Sequence, residues 1–395
     1  MARYRGLTWD HPRGRDALEA AARDAVDARG EALIAWAVHP LEGFESSPIE
    51  ELAAAYDVIV LDHPHLGDAL AAGALQPLDG VFEASWLEGL AAASVGPSHR
   101  SYVLDGALWA LPLDAATQVA ASVPELVPEA PRTWGEVDEL AVRQPVALSL
   151  AGPHALLSFA SLCVALGEEP ATVAGAGFVS AATGADALER MTRLARSAPA
   201  GSATLNPIGL LDRMRRERDI AYVPLVYGYV TAATGPGALR FDDAPAATPG
   251  GRRGSTIGGT GIALSARCRP HADLVAHLRW LLEPAAQTGF IPPHAGQPSL
   301  RAAWTDAGVN AAAGGFYRST LATIEDAWVR PRVAGYVPFQ SAASAILRDA
   351  IAGRTDAAAA IERVNALFDE LGPASAVAAA SAHEPVAATA GRNHR

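Results

Sequence analysis

The sequence predicts an α/β protein of two domains whose mainly parallel sheets are flanked by helices. Three observations predict it. The chain has 395 residues, more than one hydrophobic core ordinarily organises. Residues 1–100 alternate short apolar runs with amphipathic stretches, the pattern of strands joined by crossover helices. Half of the residues are hydrophobic and 19% are charged, so there is ample apolar surface to bury and the chain is not of the disordered class.

Residues 4–9 read as a first strand, 15–29 as a helix and 32–38 as a strand containing Trp36. A short helix over 48–55, a buried strand over 57–61 and a helix over 66–72 continue the alternation. Residues 106–126 differ, with two extended stretches and little helical periodicity. A second series follows: a strand over 146–150, a helix over 153–167 begun at Gly152-Pro153, and a strand over 220–226. Residues 254–266 form a glycine-rich strand, GSTIGGTGIALSA, leading into a helix over 270–283. The remainder is helical over 315–329, 338–352 and 356–371, and residues 373–395 have the composition of a disordered tail. No repeat of solenoid period is present.

Charge and composition exclude several classes. The 43 acidic and 31 basic residues give a net charge of −12, which repels phosphate backbones. The cluster Arg213, Arg215, Arg216 and Arg218 reads as a solvated helix face, so nucleic acid is not an expected partner. Cys163 and Cys268 lie far apart and read as buried free thiols rather than as a zinc site or a disulfide framework. The N-terminal MARYRGLTWDHPRGRDALEA has charges throughout and no apolar core, so it is not a secretory signal. The longest uncharged stretch, 144–167, is split by Gly152-Pro153 and is no membrane span. The chain as given is expected to be cytoplasmic, and extracytoplasmic if a leader has been removed.

Ligands of open α/β sheets collect at the carboxyl ends of strands. Two such ends carry nearly the same tetrapeptide: Trp9-Asp10-His11-Pro12 and Asp62-His63-Pro64-His65. In each, proline stops the strand and starts a turn, fixing an acid and an imidazole beside a helix N-terminus. Taken singly, such an aspartate caps a helix and such a histidine fills a turn; the repetition points to a site. His63 and His65 have an H-x-H spacing that, with His11 or Asp10, offers metal ligands. An aspartate with H-x-H also follows the first strand of metal-dependent hydrolase barrels. Those barrels need further ligands at later strand ends and eight strand–helix repeats, which this sequence lacks, so no metal is expected. GGTGIALS lacks the Gly-Lys-Ser/Thr ending of a phosphate loop and leads into a strand. Its glycines fit close backbone approach, with Thr260 a possible donor. Trp9, Tyr227, Tyr229, Trp304 and Gln297, with Arg330, Arg332, Tyr336 and Gln340 of WVRPRVAGYVPFQ, have the composition of a polar small-molecule cleft. No Gly-x-Ser-x-Gly elbow and no cofactor motif is present.

Residues 56–79, YDVIVLDHPHLGDALAAGALQPLD, resemble the strand–helix segment of the extracellular solute-binding proteins of ABC transporters, in the carbohydrate-type family 1 class. ALWALPLDAATQV (107–119) resembles their approach to the inter-domain hinge, and AYVPLVYGYV (221–230) and GGTGIALSARC (258–268) their later strands. The likeness spans residues 3–371. It implies a type II periplasmic-binding-protein-like clamshell, with lobe one over 1–113 and 254–315, lobe two over 114–253 and 316–372, and hinges near 113–121, 250–254 and 314–315. It implies first-lobe contacts at Trp9, Asp10, His11, Asp62, His63 and His65, hinge contacts at Asp114 and Gln118, and second-lobe contacts at Tyr227 and Tyr229. Gln297 and Arg332 complete the set. The sequence departs from the family in having no signal peptide or lipobox cysteine, which puts a permease partner in doubt, and in presenting three histidines on the first lobe.

Two readings follow. In one, the clamshell captures a small polar or anionic molecule unchanged. In the other, a cofactor-independent cytoplasmic enzyme on the same fold uses His11 and His63 as acid and base, with Asp10 and Asp62 orienting them, for a proton-transfer isomerisation, elimination or cyclisation.

Overall fold

A computed structural model describes residues 2–26 and 30–371; the tail predicted over 373–395 lies outside the described residues. Strand β1 (Tyr4–Trp9) pairs in parallel with β2 (Ile34–His39) on one side and with β3 (Val58–Leu61) on the other. All four residues of β3 are buried, as its unbroken apolar run requires. β4 (Val103–Leu104) and β5 (Ala107–Leu108) make a small antiparallel ribbon. Then comes β6 (Leu111–Ser122), twelve residues long and buried throughout.

β6 positions everything else. Its first half pairs antiparallel with β9 (Ile257–Leu264), and its second half with β7 (Tyr222–Tyr227) and β8 (Arg240–Asp242). The sheet order β2-β1-β3-β9-β6-β7 is thus one continuous path through two lobes. Register shifts at Pro112/Asp114 and at Val119/Ala121 bend it as it crosses. The first lobe gathers around β1–β3 and β9. The second gathers around β7 and the helices His154–Ala165, Ala181–Ser197, Tyr336–Ile351 and Ala357–Asp369. β7 serves both cores, its face switching at the register irregularity: Tyr222 and Leu225 join the core beneath these helices, and Val223 and Val226 the larger core continuous with the first lobe. In the helical core Phe178, Phe339 and Phe368 meet pairwise with ring centroids 5.1–5.6 Å apart, contacts of about 0.5–1.5 kcal/mol each beyond their burial.

Several expectations shift. The first helix begins at Pro12 and ends at Asp24, because His11 caps it and Pro12 opens its first turn. The extended stretches over 106–126 become the ribbon strand β5 and the single long β6. The strand over 146–150 reduces to one parallel bridge, Val146 to Tyr222. The helix over 315–329 breaks into Phe316–Ser319 and Leu321–Glu325 at Thr320, whose hydroxyl bonds back to the Phe316 carbonyl. Both cysteines are free and buried. Among the described residues, no helix is long and apolar enough to cross a membrane.

A buried hydroxyl–amide network fastens β6 to β9 and to the helix His154–Ala165. The Gln118 carboxamide accepts from Ser161 Oγ (2.5 Å) and donates to Ser158 Oγ (3.3 Å). Ser161 meets Thr256 at 2.9 Å, and Ser255 donates to the Gln118 carbonyl at 2.6 Å. With both ends of its amide engaged inside the core, Gln118 is a brace and not the hinge-side ligand contact that the resemblance implies. Gln118→Ala is expected to cost about 1–3 kcal/mol of stability, the penalty for stranding buried partners. Urea unfolding measures this loss; solute affinity should stay the same, and an affinity loss without destabilisation would return Gln118 to the site.

Candidate functional site

Three prolines punctuate strand or bridge ends that face the space between the lobes: Pro12 after β1, Pro64 after β3, and Pro153 after the bridged segment at 146. Each stops an extended run and starts a helical turn. The next residues, Arg13, His65 and His154, are all buried.

Asp62, Pro64 and His65 of the first lobe meet Pro153, His154, Leu157, Tyr227, Arg330, Val337 and Gln340 around a small chamber of ≈ 40 Å³. Across this chamber Arg330 Nη2 donates to Asp62 Oδ2 at 2.5 Å, while Arg330 Nη1 donates to Gln340 Oε1 at 3.2 Å. The Asp62 side chain is 20% exposed and that of Arg330 3%. Burial by itself would raise the Asp62 carboxyl, but the Arg330 guanidinium, its hydrogen bond and the neighbouring His63 outweigh it and hold the group well below the usual carboxylate range. Arg330 is raised in turn, since Asp62 more than offsets its burial. The pair stays fully ionised at neutral pH. Among the described residues, Arg330 Nε and the Tyr336 hydroxyl are buried without a hydrogen-bond partner.

His63 lies just behind the chamber, fully buried and edge-on to the Tyr102 ring at 6.2 Å. Its Nδ1 is 3.0 Å from Asp62 Oδ1, without the alignment of a hydrogen bond, because that oxygen takes the His63 backbone N–H at 2.8 Å. Burial first, then Arg330, push its imidazole down to about 4. His65 is lowered too, chiefly by burial.

The strand end at β1 is arranged differently. His11 accepts from the Arg13 backbone N–H through Nδ1 at 3.1 Å and stacks on Trp9 at 5.1 Å. Burial, then Arg13 and Arg15, lower it to about 4. Trp9 packs closely against Gly14, where a Cβ would sit 2.0 Å from its indole nitrogen. Asp10 turns outward: its carboxylate is 51% exposed and pairs with Arg15. The expected Asp10–His11 couple is therefore not assembled, because the cap on Arg13 occupies the imidazole and Arg15 takes the acid. Asp114 instead pairs with Arg13, whose Nε donates to Oδ2 at 2.8 Å and whose Nη2 engages Oδ1. Arg13 Nη1 reaches the Gly228 carbonyl at 3.4 Å, and the guanidinium lies 5.0 Å from the Tyr229 ring centre.

Of the sequence-predicted residues, Asp62, His65 and Tyr227 line the chamber, with His63 behind it. Trp9, His11, Asp114 and Tyr229 gather around Arg13. Thr260 sits opposite Asp114 in the β6–β9 ladder, outside the chamber lining. Gln297 is a brace: its amide donates to the Ala115 carbonyl (3.1 Å) and accepts from Val230 N–H (2.9 Å). Arg332 does not face the chamber either. It donates to the carbonyls of Arg100, Ser101 and Val103 at 2.5–3.3 Å, so these backbone acceptors hold it where a ligand was expected to. Sequence reasoning left out Arg13 and His154; of the residues it grouped in WVRPRVAGYVPFQ, Arg330 and Gln340 line the chamber, whereas Arg332, the one carried into the set implied by the resemblance, does not. The signal that finds two of these is the residue following each strand-end proline. Among the described residues, no three His, Cys, Asp or Glu side chains are grouped so as to hold a metal ion.

These histidines give stability a pH dependence of fixed sign. His63 and His11 remain neutral in the fold down to about pH 4, as does the buried His277, whereas unfolded histidine takes a proton near pH 6.5. Between those values the unfolded chain binds more protons, so the contribution of these histidines to stability falls as pH falls through that window and is constant below it. Thermal unfolding at stepped pH should show this decline, and His63→Leu should flatten it; a slope unchanged by the substitution would mean that His63 titrates normally.

No family model matches the chain, and no curated protein matches it. Solved structures do. Maltose-bound MalE3 of T. maritima is 17% identical, with 93% of this chain and 99% of that chain covered and a TM-score of 0.74. An ABC-transporter solute-binding protein of Agrobacterium radiobacter K84, in complex with ribitol, is 18% identical over 93% and 98%, with a TM-score of 0.75. The GacH receptor of Streptomyces glaucescens, solved unliganded and with acarbose, is 15% identical over 93% and 97%, with a TM-score of 0.74. The fold expected from residues 56–79, 107–119, 221–230 and 258–268 is the fold observed: this chain has the two-lobed architecture of the ABC-transporter solute-binding proteins.

Proposed function

We propose that the chain is a solute-binding protein that captures a small polar or anionic molecule between its lobes and releases it unchanged. The observation that carries this is the chamber whose walls come from both lobes and whose charges, Asp62 and Arg330, bind each other across it. Buried donors without partners among the described residues, Arg330 Nε and the Tyr336 hydroxyl, are the groups a retained solute would engage. The neighbours support the same reading, because their structures hold maltose, ribitol and acarbose. With lobes over 1–113 plus 254–315 and 114–253 plus 316–372, parting at segments 113–121, 250–254 and 314–315, the chamber opens by rotation about β6 and β9.

The test is to incubate the purified chain with metabolite extract of its producing organism and analyse bound and free fractions by mass spectrometry. One solute retained in equal proportion to protein and released intact is the expected result. Arg330→Gln should weaken its retention at least tenfold, the loss that accompanies a charged hydrogen bond of about 1.5–3 kcal/mol. Nothing retained, or a solute consumed with a new product appearing, would contradict the proposal.

A further inference from the structure

Asp62 and Arg330 meet across a chamber of ≈ 40 Å³, far below the roughly 300–1,000 Å³ of ordinary small-molecule sites. An organic solute therefore enters only when the chamber walls move apart. That movement has an electrostatic consequence. Asp62 follows β3, whereas Arg330 belongs to the segment leading into the helix Tyr336–Ile351 and is bonded to Gln340 of that helix. Parting the walls pulls the carboxylate from the guanidinium. Closing again over a solute that lies between them leaves each charge buried without its partner. Among the described residues, no other Asp, Glu or Arg lines the chamber to replace either one.

The hydrogen-bonding capacity of the pair is also only half used. Nε and Nη2 share one edge of a guanidinium, and such an edge takes a carboxylate by two parallel hydrogen bonds. In Arg330 only Nη2 of that edge is engaged, by Asp62 Oδ2, while Nε is buried without a hydrogen-bond partner among the described residues. Nη1 is held separately by Gln340 Oε1 at 3.2 Å, so the guanidinium keeps an anchor when Asp62 leaves. On the other wall, Asp62 Oδ1 accepts the His63 backbone N–H at 2.8 Å, and Oδ2 is the oxygen that changes partner. A neutral hydroxyl compound offers hydrogen bonds to both walls but a counter-charge to neither. A simple anion suits Arg330 and repels Asp62; a simple cation does the reverse.

Resting on the binding reading above, we propose that the retained solute is a small zwitterion, whose carboxylate takes the Nε–Nη2 edge of Arg330 and whose ammonium group takes Asp62 Oδ2. It replaces one internal ion pair by two, so every buried charge is matched once the lobes close. Neutral polyols and singly charged acids or amines are disfavoured because each leaves at least one wall charge unmatched. The larger groove nearby, a cavity of ≈ 540 Å³ walled by Val230, Thr231, Pro293, Asp306 and Ala312, has no such pairing. Among the described residues Asp306 is its one charged wall residue, and that carboxylate already caps the Val309 N–H at 2.8 Å.

Calorimetry on the full chain tests this with matched probes: L-alanine, β-alanine and 4-aminobutyrate against butyrate, butylammonium and ribitol. At least one of the three amino acids is expected to bind at least tenfold more tightly than any of the other probes. Asp62→Asn and Arg330→Gln each remove one charge and separate the two contacts. Asp62→Asn should cut the preference for that amino acid over butyrate at least tenfold, and Arg330→Gln its preference over butylammonium. A general loss of folding would not move these two ratios separately, and where a variant does not fold the wild-type series decides alone. Ribitol or a singly charged probe bound as tightly as the amino acids would overturn the zwitterion while leaving the capture reading intact, and so would folded variants that keep both preferences. If none of the six probes binds, the solute retained from metabolite extract decides: one carrying both charged groups upholds the proposal, and one lacking either overturns it. Retention of nothing from probes or extract would overturn both readings.

Discussion

The contact between Asp62 and Arg330 is the interaction on which the rest of the inter-lobe structure depends. Neither charge would be tolerated at this depth alone; removing one partner of such a pair costs about 3–5 kcal/mol. Each is therefore an obligation the other lobe must meet. The strand end at β3 presents the acid, the segment leading into the helix Tyr336–Ile351 presents the base, and the Gln340 amide holds the guanidinium in place from the next turn. The chamber exists because these groups meet while the side chains around them, His65, His154 and Tyr227, do not fill the space they enclose.

The same segment is fastened to the first lobe at three further points. Arg332 is held by three backbone carbonyls, the Gly335 N–H donates to Asp68 at 2.7 Å, and Gly67 lies so close to Val333 that a Cβ would come within 2.2 Å of its carbonyl carbon. These contacts involve backbone groups whose positions are set by the fold, so they fix how near the lobes come rather than which ligand fits. The two buried pairs, Arg13 with Asp114 and Asp62 with Arg330, are the charged contacts of this region.

The fold was legible because its signals are local. β1 spans residues 4–9 as expected, and β3 follows from an apolar run ended by Asp-His-Pro. The site was only half legible. Asp62 and His65 could be found because a proline fixes them at a strand end, yet the same grammar, applied to the residue after each proline, would also have found Arg13 and His154. The choice between Arg330 and Arg332 could not be made locally. The two flank Pro331 with the same side chain, and what separates them is tertiary: a carboxylate 268 residues away for one and a row of loop carbonyls for the other. Gln118 and Gln297 pose a related difficulty. A buried amide that braces strands and one that holds a ligand have the same appearance in sequence, and only their partners tell them apart.

The most direct test of this account is a crystal structure of the full chain grown with the solute it retains. The account predicts that solute in the chamber, within hydrogen-bonding distance of both Asp62 and Arg330, with the Arg13–Asp114 pair intact beside it. A solute bound in the groove at Thr231 and Asp306, with the Asp62–Arg330 contact untouched and the chamber empty, would contradict it.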